Sequence, residues 1–129
     1  MAFISVVDDD ESLRFATIDL LNSAGFSCEA FGSAEAWLAS ANIAKTVCLI
    51  LDIRMPGMSG LELQQRLAAM GHATPIIFMT AYPEERTRRR ALNSGALCYL
   101  PKPFDDQELL DCVHLALARG EQTMGEHNR

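Results

Sequence analysis

At 129 residues, 49% of them hydrophobic, the chain is long enough for one compact domain and too short for a second full one. Its formal charge of -6 argues against nucleic acid as a direct partner, because phosphate backbones are bound through an excess of Lys and Arg. No apolar stretch reaches the ~20 residues that span a bilayer, and the N-terminus lacks the features of a signal peptide. We therefore expect a cytoplasmic protein that contacts no membrane and whose acidity suits cations or basic partners.

Five short apolar runs recur along the chain, and each has the length of a strand. They cover residues 3–7, 26–31, 47–51, 76–79 and 97–100. The segments between and after them carry apolar residues at helical spacing, for example Leu61, Leu67 and Ala68. Strand and helix therefore alternate five times. Because the first, third and fourth runs are apolar nearly throughout, we predict a doubly wound α/β fold whose parallel sheet is covered on both faces.

Boundary signals mark the helices. Ser59 with Glu62 and Asp105 with Glu108 have the spacing of capping boxes. Four glycines stand where helices should end and a left-handed residue is least costly: Gly25, Gly71, Gly95 and Gly120. The polar segment 119–129 is predicted to be a frayed end or linker.

Polar side chains of particular types lie at the carboxyl ends of the predicted strands, where doubly wound sheets bind ligands. In chain order they are Asp8, Asp9, Asp10, Asp52, Thr80, Tyr99 and Lys102. If the first and third strands are neighbours, carboxylates come together, and two of them ~4 Å apart repel by about 4 kcal/mol at an effective dielectric near 20. A hard divalent ion such as Mg²⁺, for which Mn²⁺ can substitute, matches such oxygen ligands, and Lys102 adds a fixed positive charge.

Four segments carry a family resemblance: V-V-D-D-D at 6–10, L-D-I-R-M-P-G-M-S-G at 51–60, M-T-A at 79–81 and Y-L-P-K-P-F at 99–104. Together and in this order they resemble the receiver (CheY-like) domains of bacterial two-component response regulators. The resemblance covers residues 3 to about 117 and is closest in wording to the FixJ group. It implies a five-stranded parallel sheet of order 2-1-3-4-5 with five helices, and a receiver domain at 1–118 followed by the 119–129 tail.

The resemblance also implies a reaction. Asp52 would accept a phosphoryl group from a phosphohistidine of a sensor histidine kinase. Asp9 would bind Mg²⁺ directly, Asp8 would bind it through water, and Asp52 and the backbone carbonyl of Arg54 would complete the set. The chain would thus be a phosphoacceptor that catalyses its own phosphorylation and slow dephosphorylation, rather than an enzyme with a separate substrate.

Three further roles follow from the resemblance. Lys102 would pair with a phosphoryl oxygen, and the peptide bond to Pro103 would be cis. The Thr80 hydroxyl would bond another phosphoryl oxygen, and Tyr99 would follow Thr80 inward as a switch.

The expected signalling surface comprises the fourth helix, the fifth strand and the fifth helix. It would contact an output domain, a downstream protein or, on phosphorylation, a second copy of the chain. Receivers of the FixJ group usually precede a helix-turn-helix domain, which suggests transcription regulation. Because only about ten residues follow the last predicted helix, the chain is either a stand-alone relay or a fragment. The fourth helix carries Arg86, Arg88, Arg89 and Arg90, which form either a binding patch or a solvated face paired through Glu84/Arg88 and Glu85/Arg89.

Alternatives remain at this stage. Asp10 alone is better explained as a helix N-cap. A phosphate-independent receiver and an aspartate-based phosphatase of the haloacid dehalogenase type stay open, although the phosphatase needs a second Asp where Arg54 stands. Arg54 and Tyr82 are bulky residues beside the site, and we expect them to shield the phosphoryl group from water.

Overall fold

The computed structural model describes the backbone of residues 2–127 and the side chains of residues 2–119. Within these limits strands and helices alternate as predicted: β1 (Phe3–Val7), α1 (Glu11–Ser23), β2 (Ser27–Phe31), α2 (Ala34–Ala39), β3 (Thr46–Asp52), α3 (Gly60–Ala69), β4 (Ile76–Thr80), α4 (Glu85–Asn93), β5 (Cys98–Pro101) and α5 (Asp106–His127). The strands form one parallel sheet of order β2-β1-β3-β4-β5. The predicted fold class is therefore confirmed.

The sheet is buried on both faces, as its uninterrupted apolar strands predicted. Alternate residues of β3 point to opposite faces, so Leu49 and Leu51 join one core cluster while Ile50 joins the other. The first cluster includes Trp37 of α2 and the second includes Val113 of α5. All five side chains are fully buried. The two-sided burial fixes the rotation of each strand and so fixes which groups emerge at its carboxyl end.

The structure extends the last three strands by one residue beyond their predicted ends, and two of the added residues, Asp52 and Thr80, are candidate site residues. Asp52 pairs with Met79 in the ladder between β3 and β4, and Thr80 pairs with Pro101 in the ladder between β4 and β5. The Lys102 amide donates to the Thr80 carbonyl at 2.7 Å. Sheet hydrogen bonds therefore hold the backbone from which these side chains project.

Most predicted helix boundaries are observed, and one is wrong. Ser59 and Glu62 form both bonds of a capping box, and Gly25, Gly71 and Gly95 have φ of 90°, 80° and 105° after α1, α3 and α4. Helix α5 does not end at Gly120 but continues to His127. A single internal glycine costs only about 1 kcal/mol relative to alanine, and the neighbouring turns can outweigh that.

The domain limits at 1–118 and the linker role of 119–129 stay predictions, and residues 128–129 lie outside the described part of the chain. In the part that is described, no helix has the length and apolar character needed to cross a membrane.

Candidate functional site

Three carboxylates meet at the carboxyl edge of the sheet. Asp8 and Asp9 follow β1, Asp52 ends the neighbouring β3, and one oxygen from each lies within 4.8 Å of the others. Asp8 is fully buried, Asp52 is 6% exposed and Asp9 is exposed. Among the described residues this is the one cluster of three or more side chains suited to hold a metal ion.

Lys102 supplies the positive charge of the site. Its Nζ lies 3.0 Å from Asp8 Oδ2 and 3.6 Å from Asp52 Oδ2, and its side chain is only 10% exposed. The Lys102–Pro103 peptide bond is cis, as the family resemblance implied. The ammonium thus reaches the cluster from β5, two strands away from Asp52 in the sheet.

The environment of the cluster raises the pKa of the Asp52 carboxyl to about 7. Burial of the carboxyl is the largest cause, Lys102 opposes it, and the charges of Asp8 and Asp9 add to it. The single positive charge of Lys102 therefore does not balance the negative charge of three neighbouring carboxylates. The donors fit Mg²⁺, because that ion prefers hard oxygen ligands and would supply the missing positive charge.

The loop between β1 and α1 holds Asp8 firmly and leaves Asp9 unconstrained. Asp8 Oδ1 accepts from the Asp10 amide at 3.0 Å, and Arg14 Nη1 donates to the Asp8 carbonyl at 2.8 Å. Asp10 accepts from the Leu13 amide at 3.1 Å as the N-cap of α1, which confirms the simpler interpretation of that residue. No hydrogen bond is described for the Asp9 side chain within residues 2–119.

Thr80 and Tyr99 both contact the loop of residues 81–84 that leads into α4. Thr80 is 1% exposed, and its hydroxyl oxygen accepts from the Tyr82 amide at 3.0 Å. The Tyr99 hydroxyl oxygen lies 3.5 Å from the donating Glu84 amide. Both predicted switch residues are therefore in contact with the loop that leads into α4.

Arg54 and Tyr82 meet at the rim of the site. The guanidinium carbon of Arg54 lies 4.6 Å from the Tyr82 ring centre, and Arg54 Nη2 lies 2.7 Å from Glu84 Oε1. The predicted Glu84/Arg88 pair is therefore wrong. The Arg88 amide still donates to the Glu84 carbonyl at 2.9 Å, but the Glu84 carboxylate turns to Arg54 instead of Arg88.

The other predicted pair is present, because Glu85 Oε1 lies 3.8 Å from Arg89 Nε. It also lies 3.3 Å from Arg88 Nη1. The contact between Arg54 and Glu84 was missed by sequence reasoning. The sequence feature that could have indicated this contact is the opposite charge of Arg54 and Glu84, which lie in the loops after two neighbouring strands.

Gly60 also escaped the sequence analysis. Its amide donates to the Ile53 carbonyl at 2.9 Å, and a β-carbon at this position would collide with the Asp52 carbonyl oxygen. The first residue of α3 therefore packs directly against the backbone that carries the central carboxylate.

Comparison with known proteins agrees with this geometry. The family model for the response regulator receiver domain matches residues 4–114. Nodulation protein W of Bradyrhizobium diazoefficiens is 45% identical over 118 residues, which cover 92% of this chain and 52% of that protein. The transcriptional regulatory protein FixJ of the same organism is 36% identical over 118 residues, covering 92% of this chain and 58% of that protein.

Among solved structures, the response regulator StyR superposes with a TM-score of 0.87 at 42% identity, covering 98% of this chain and 66% of that one. The chain belongs to the response regulator receiver domain family, the signalling domain of two-component systems. It spans about half the length of the relatives it matches in sequence.

Proposed function

We propose that Asp52 is the phosphoacceptor of this receiver domain and takes its phosphoryl group from a phosphohistidine of a sensor histidine kinase. The observation that carries the proposal is the position of Asp52, buried at the end of β3 between two further carboxylates and the ammonium of Lys102. A carboxylate so placed is presented to an incoming phosphoryl group with fixed partners around it.

The transfer exchanges one bond for another. A carboxylate oxygen of Asp52 forms an O–P bond while the N–P bond of the phosphohistidine breaks, and the electron pair of that bond returns to the imidazole nitrogen. Lys102 then turns from the aspartates to a phosphoryl oxygen, to which it donates a charge-assisted hydrogen bond. The Thr80 hydroxyl donates a hydrogen bond to another phosphoryl oxygen.

The expected ligands of Mg²⁺ or Mn²⁺ differ in their freedom to bind. Asp9 has an exposed carboxylate and suits direct ligation. Asp8 already accepts hydrogen bonds from the Asp10 amide and Lys102 and suits a water-mediated contact. Asp52 and the backbone carbonyl of Arg54 complete the protein ligands. When bound, the ion would neutralise charge that develops on the transferring phosphoryl oxygens.

The switch runs through the loop of residues 81–84. Movement of Thr80 toward the phosphoryl group pulls its hydroxyl away from the Tyr82 amide and so disturbs the hydrogen bond between them. Tyr99 contacts the same loop at Glu84. We infer that the surface of α4, β5 and α5 is remodelled in this way, with a coupling free energy of about 1 to 3 kcal/mol.

The remodelled surface would act on an output domain, a downstream protein or a second copy of the chain. Four exposed arginines of α4 lie on it: Arg86, Arg88, Arg89 and Arg90. Because FixJ is a transcriptional regulator, we propose that the output of this chain is also transcription, in the cytoplasm.

Borohydride trapping tests the assignment of the acceptor. The chain is incubated with Mg²⁺ and acetyl phosphate, reduced with borohydride and digested, because an acyl phosphate is reduced to an alcohol and a free carboxylate is not. We expect homoserine at position 52 and at no other aspartate. Reduction at Asp8 or Asp9 would refute the assignment of Asp52 as the acceptor. No reduction on folded protein with Mg²⁺ would also refute it and would favour a phosphate-independent interaction module. Phosphate release without any trapped residue would favour the phosphatase.

A further inference from the structure

The loop of residues 53–59 carries one of the proposed metal ligands, the backbone carbonyl of Arg54. Its base is tied to the sheet and to α3. The Ile53 amide donates to the Met79 carbonyl at 3.1 Å, and the Gly60 amide donates to the Ile53 carbonyl at 2.9 Å. These bonds fix the two ends of the loop, and its first part is held by the buried Met55 side chain and by the ion pair of Arg54 with Glu84. Gly57 and Met58 have a further anchor.

That anchor comes from α2, which contributes none of the motif residues. Glu35 Oε2 accepts a hydrogen bond from the Met58 amide at 3.0 Å. Gly57 has φ of 76°, and a β-carbon there would collide with the same carboxylate oxygen. The loop thus bends closely around the carboxylate of Glu35, in a conformation that favours glycine.

The contact is made by an exposed side chain and is not imposed by core packing. Hydrogen bonds from the backbone amides of Glu35 itself and of Met58 lower the pKa of the Glu35 carboxyl below its usual value. The group is therefore an anion at neutral pH and accepts the Met58 amide as a charge-assisted bond.

We propose that Glu35 is a positioning residue that sets Mg²⁺ affinity by holding the loop of residues 53–59, and with it the Arg54 carbonyl, in place for the ion. This inference rests on the proposed function, because it takes the Arg54 carbonyl to be a ligand. Mg²⁺ demands near-ideal octahedral geometry, so a ligand on a loosened loop binds it less well. Groups that orient metal ligands have measurable effects on affinity although they never touch the ion.

The test is a Mg²⁺ titration of the full chain, followed by two-dimensional ¹H–¹⁵N NMR. Three variants are compared with the wild type: Glu35→Ala, Glu35→Gln and Asp19→Ala. Glu35→Gln keeps an acceptor oxygen and loses the charge. Asp19→Ala removes the same charge from an exposed residue of α1 for which no hydrogen bond or ion pair is described in residues 2–119. Urea unfolding without Mg²⁺ establishes that each variant is folded.

We expect Glu35→Ala to raise the Kd for Mg²⁺ about 3- to 10-fold, which corresponds to the loss of one hydrogen bond. Glu35→Gln and Asp19→Ala should stay within about twofold of the wild type. The Met58 amide resonance should move in Glu35→Ala and return toward its wild-type position in Glu35→Gln.

An unchanged Kd in Glu35→Ala would overturn the inference and leave the proposed function intact. An equal loss in Glu35→Ala and Asp19→Ala would also overturn it, because net charge would then explain the effect. A wild-type chain that binds no Mg²⁺ would instead overturn the proposed metal site, and the inference with it.

Discussion

Asp52 has 6% of its surface exposed, and its carboxyl group is subject to opposing influences. Burial and the neighbouring carboxylates of Asp8 and Asp9 favour its neutral form, and only Lys102 favours the charged one. The protein therefore keeps this carboxyl group where its charged form is disfavoured unless a cation is bound. A pKa that is raised on folding makes the folded state less stable once the group ionises.

The free energy of unfolding should reveal this cost. The pKa of Asp52 is about 7 in the folded chain, against an ordinary value of 3.8. The protonated side chain therefore stabilises the folded state fully below pH 3.8, and this stabilisation is lost as pH rises through 7. Without metal at pH 8, Asp52→Asn should therefore exceed the wild type in stability by on the order of 2 kcal/mol, and the difference should shrink toward pH 4.

Urea unfolding across this pH range measures the difference. Mg²⁺ provides the control, because it should stabilise the wild type more than the variant. A stability difference that is independent of pH would contradict this account of Asp52.

Gly60 offers a second residue-scale prediction. Alanine normally favours a helix over glycine by up to about 1 kcal/mol. At position 60 the added β-carbon meets the Asp52 carbonyl oxygen, so Gly60→Ala should instead destabilise the chain by about 1 to 3 kcal/mol.

The measurement is again urea unfolding, with Gly32→Ala as the matched control. A β-carbon at Gly32 would lie 3.4 Å from Arg14 Nη1, which is an ordinary contact distance that requires no rearrangement. Equal or higher stability of Gly60→Ala would argue against a packed contact between α3 and β3.

Contacts between residues could be predicted from sequence where side chains stand at strand ends, and could not where two loops meet. The sequence predicted that Asp8 and Asp52 lie close together, because their strands end at the same edge of the sheet. Glu84 was paired with Arg88 by helical spacing, yet the structure pairs it with Arg54. Contacts between loops depend on their paths in space, which local spacing does not encode.

At the scale of elements, the loops after β3 and β4 form one rim. Arg54 from the first loop lies over the Tyr82 ring of the second. Both side chains are more than half exposed, so they can cover the site and still be moved by a partner.

We expect Arg54→Ala and Tyr82→Ala each to shorten the lifetime of the phosphoryl group on Asp52 severalfold, because water then reaches the acyl phosphate more easily. Tyr82→Phe keeps the ring and should behave like the wild type. Decay of the phosphorylated form, followed by intact mass after removal of the phosphodonor, gives the lifetimes. Lifetimes equal to that of the wild type in both alanine variants would remove the shielding role.

Element boundaries were predictable where several signals agreed. Ser59 and Glu62 supplied both halves of a capping box, and α3 begins directly after Ser59. Gly120 was a single signal, and α5 runs through it. A glycine ends a helix only when the following chain turns away, and composition alone does not specify that turn.

At the scale of the whole molecule, periodicity predicted the strands and helices but not their arrangement in space. The order β2-β1-β3-β4-β5 was expected from the family resemblance and is observed. That order places β3 beside both β1 and β4, so Asp52 lies between the carboxylates of Asp8 and Asp9 on one side and Thr80 on the other. The site is thus a property of the topology, and α4 is connected to it through one loop.

The connection between site and surface can be tested without a kinase. Beryllium fluoride mimics a phosphoryl group on a carboxylate, and in the wild type it should shift amide resonances of α4, β5 and α5. Thr80→Val, which removes the hydroxyl but keeps the volume, should abolish most of these shifts, and Tyr99→Phe should reduce them. Undiminished shifts in Thr80→Val would show that the surface responds by another route.

The most direct test of the central claim is intact-mass spectrometry after incubation with acetyl phosphate, with Mg²⁺ or with a chelator, on the wild type and Asp52→Asn. We expect a single phosphoryl adduct on the wild type that depends on Mg²⁺ and is absent from the variant. An adduct of equal yield on Asp52→Asn, or none on folded wild type with Mg²⁺ present, would contradict the assignment of Asp52 as the phosphoacceptor.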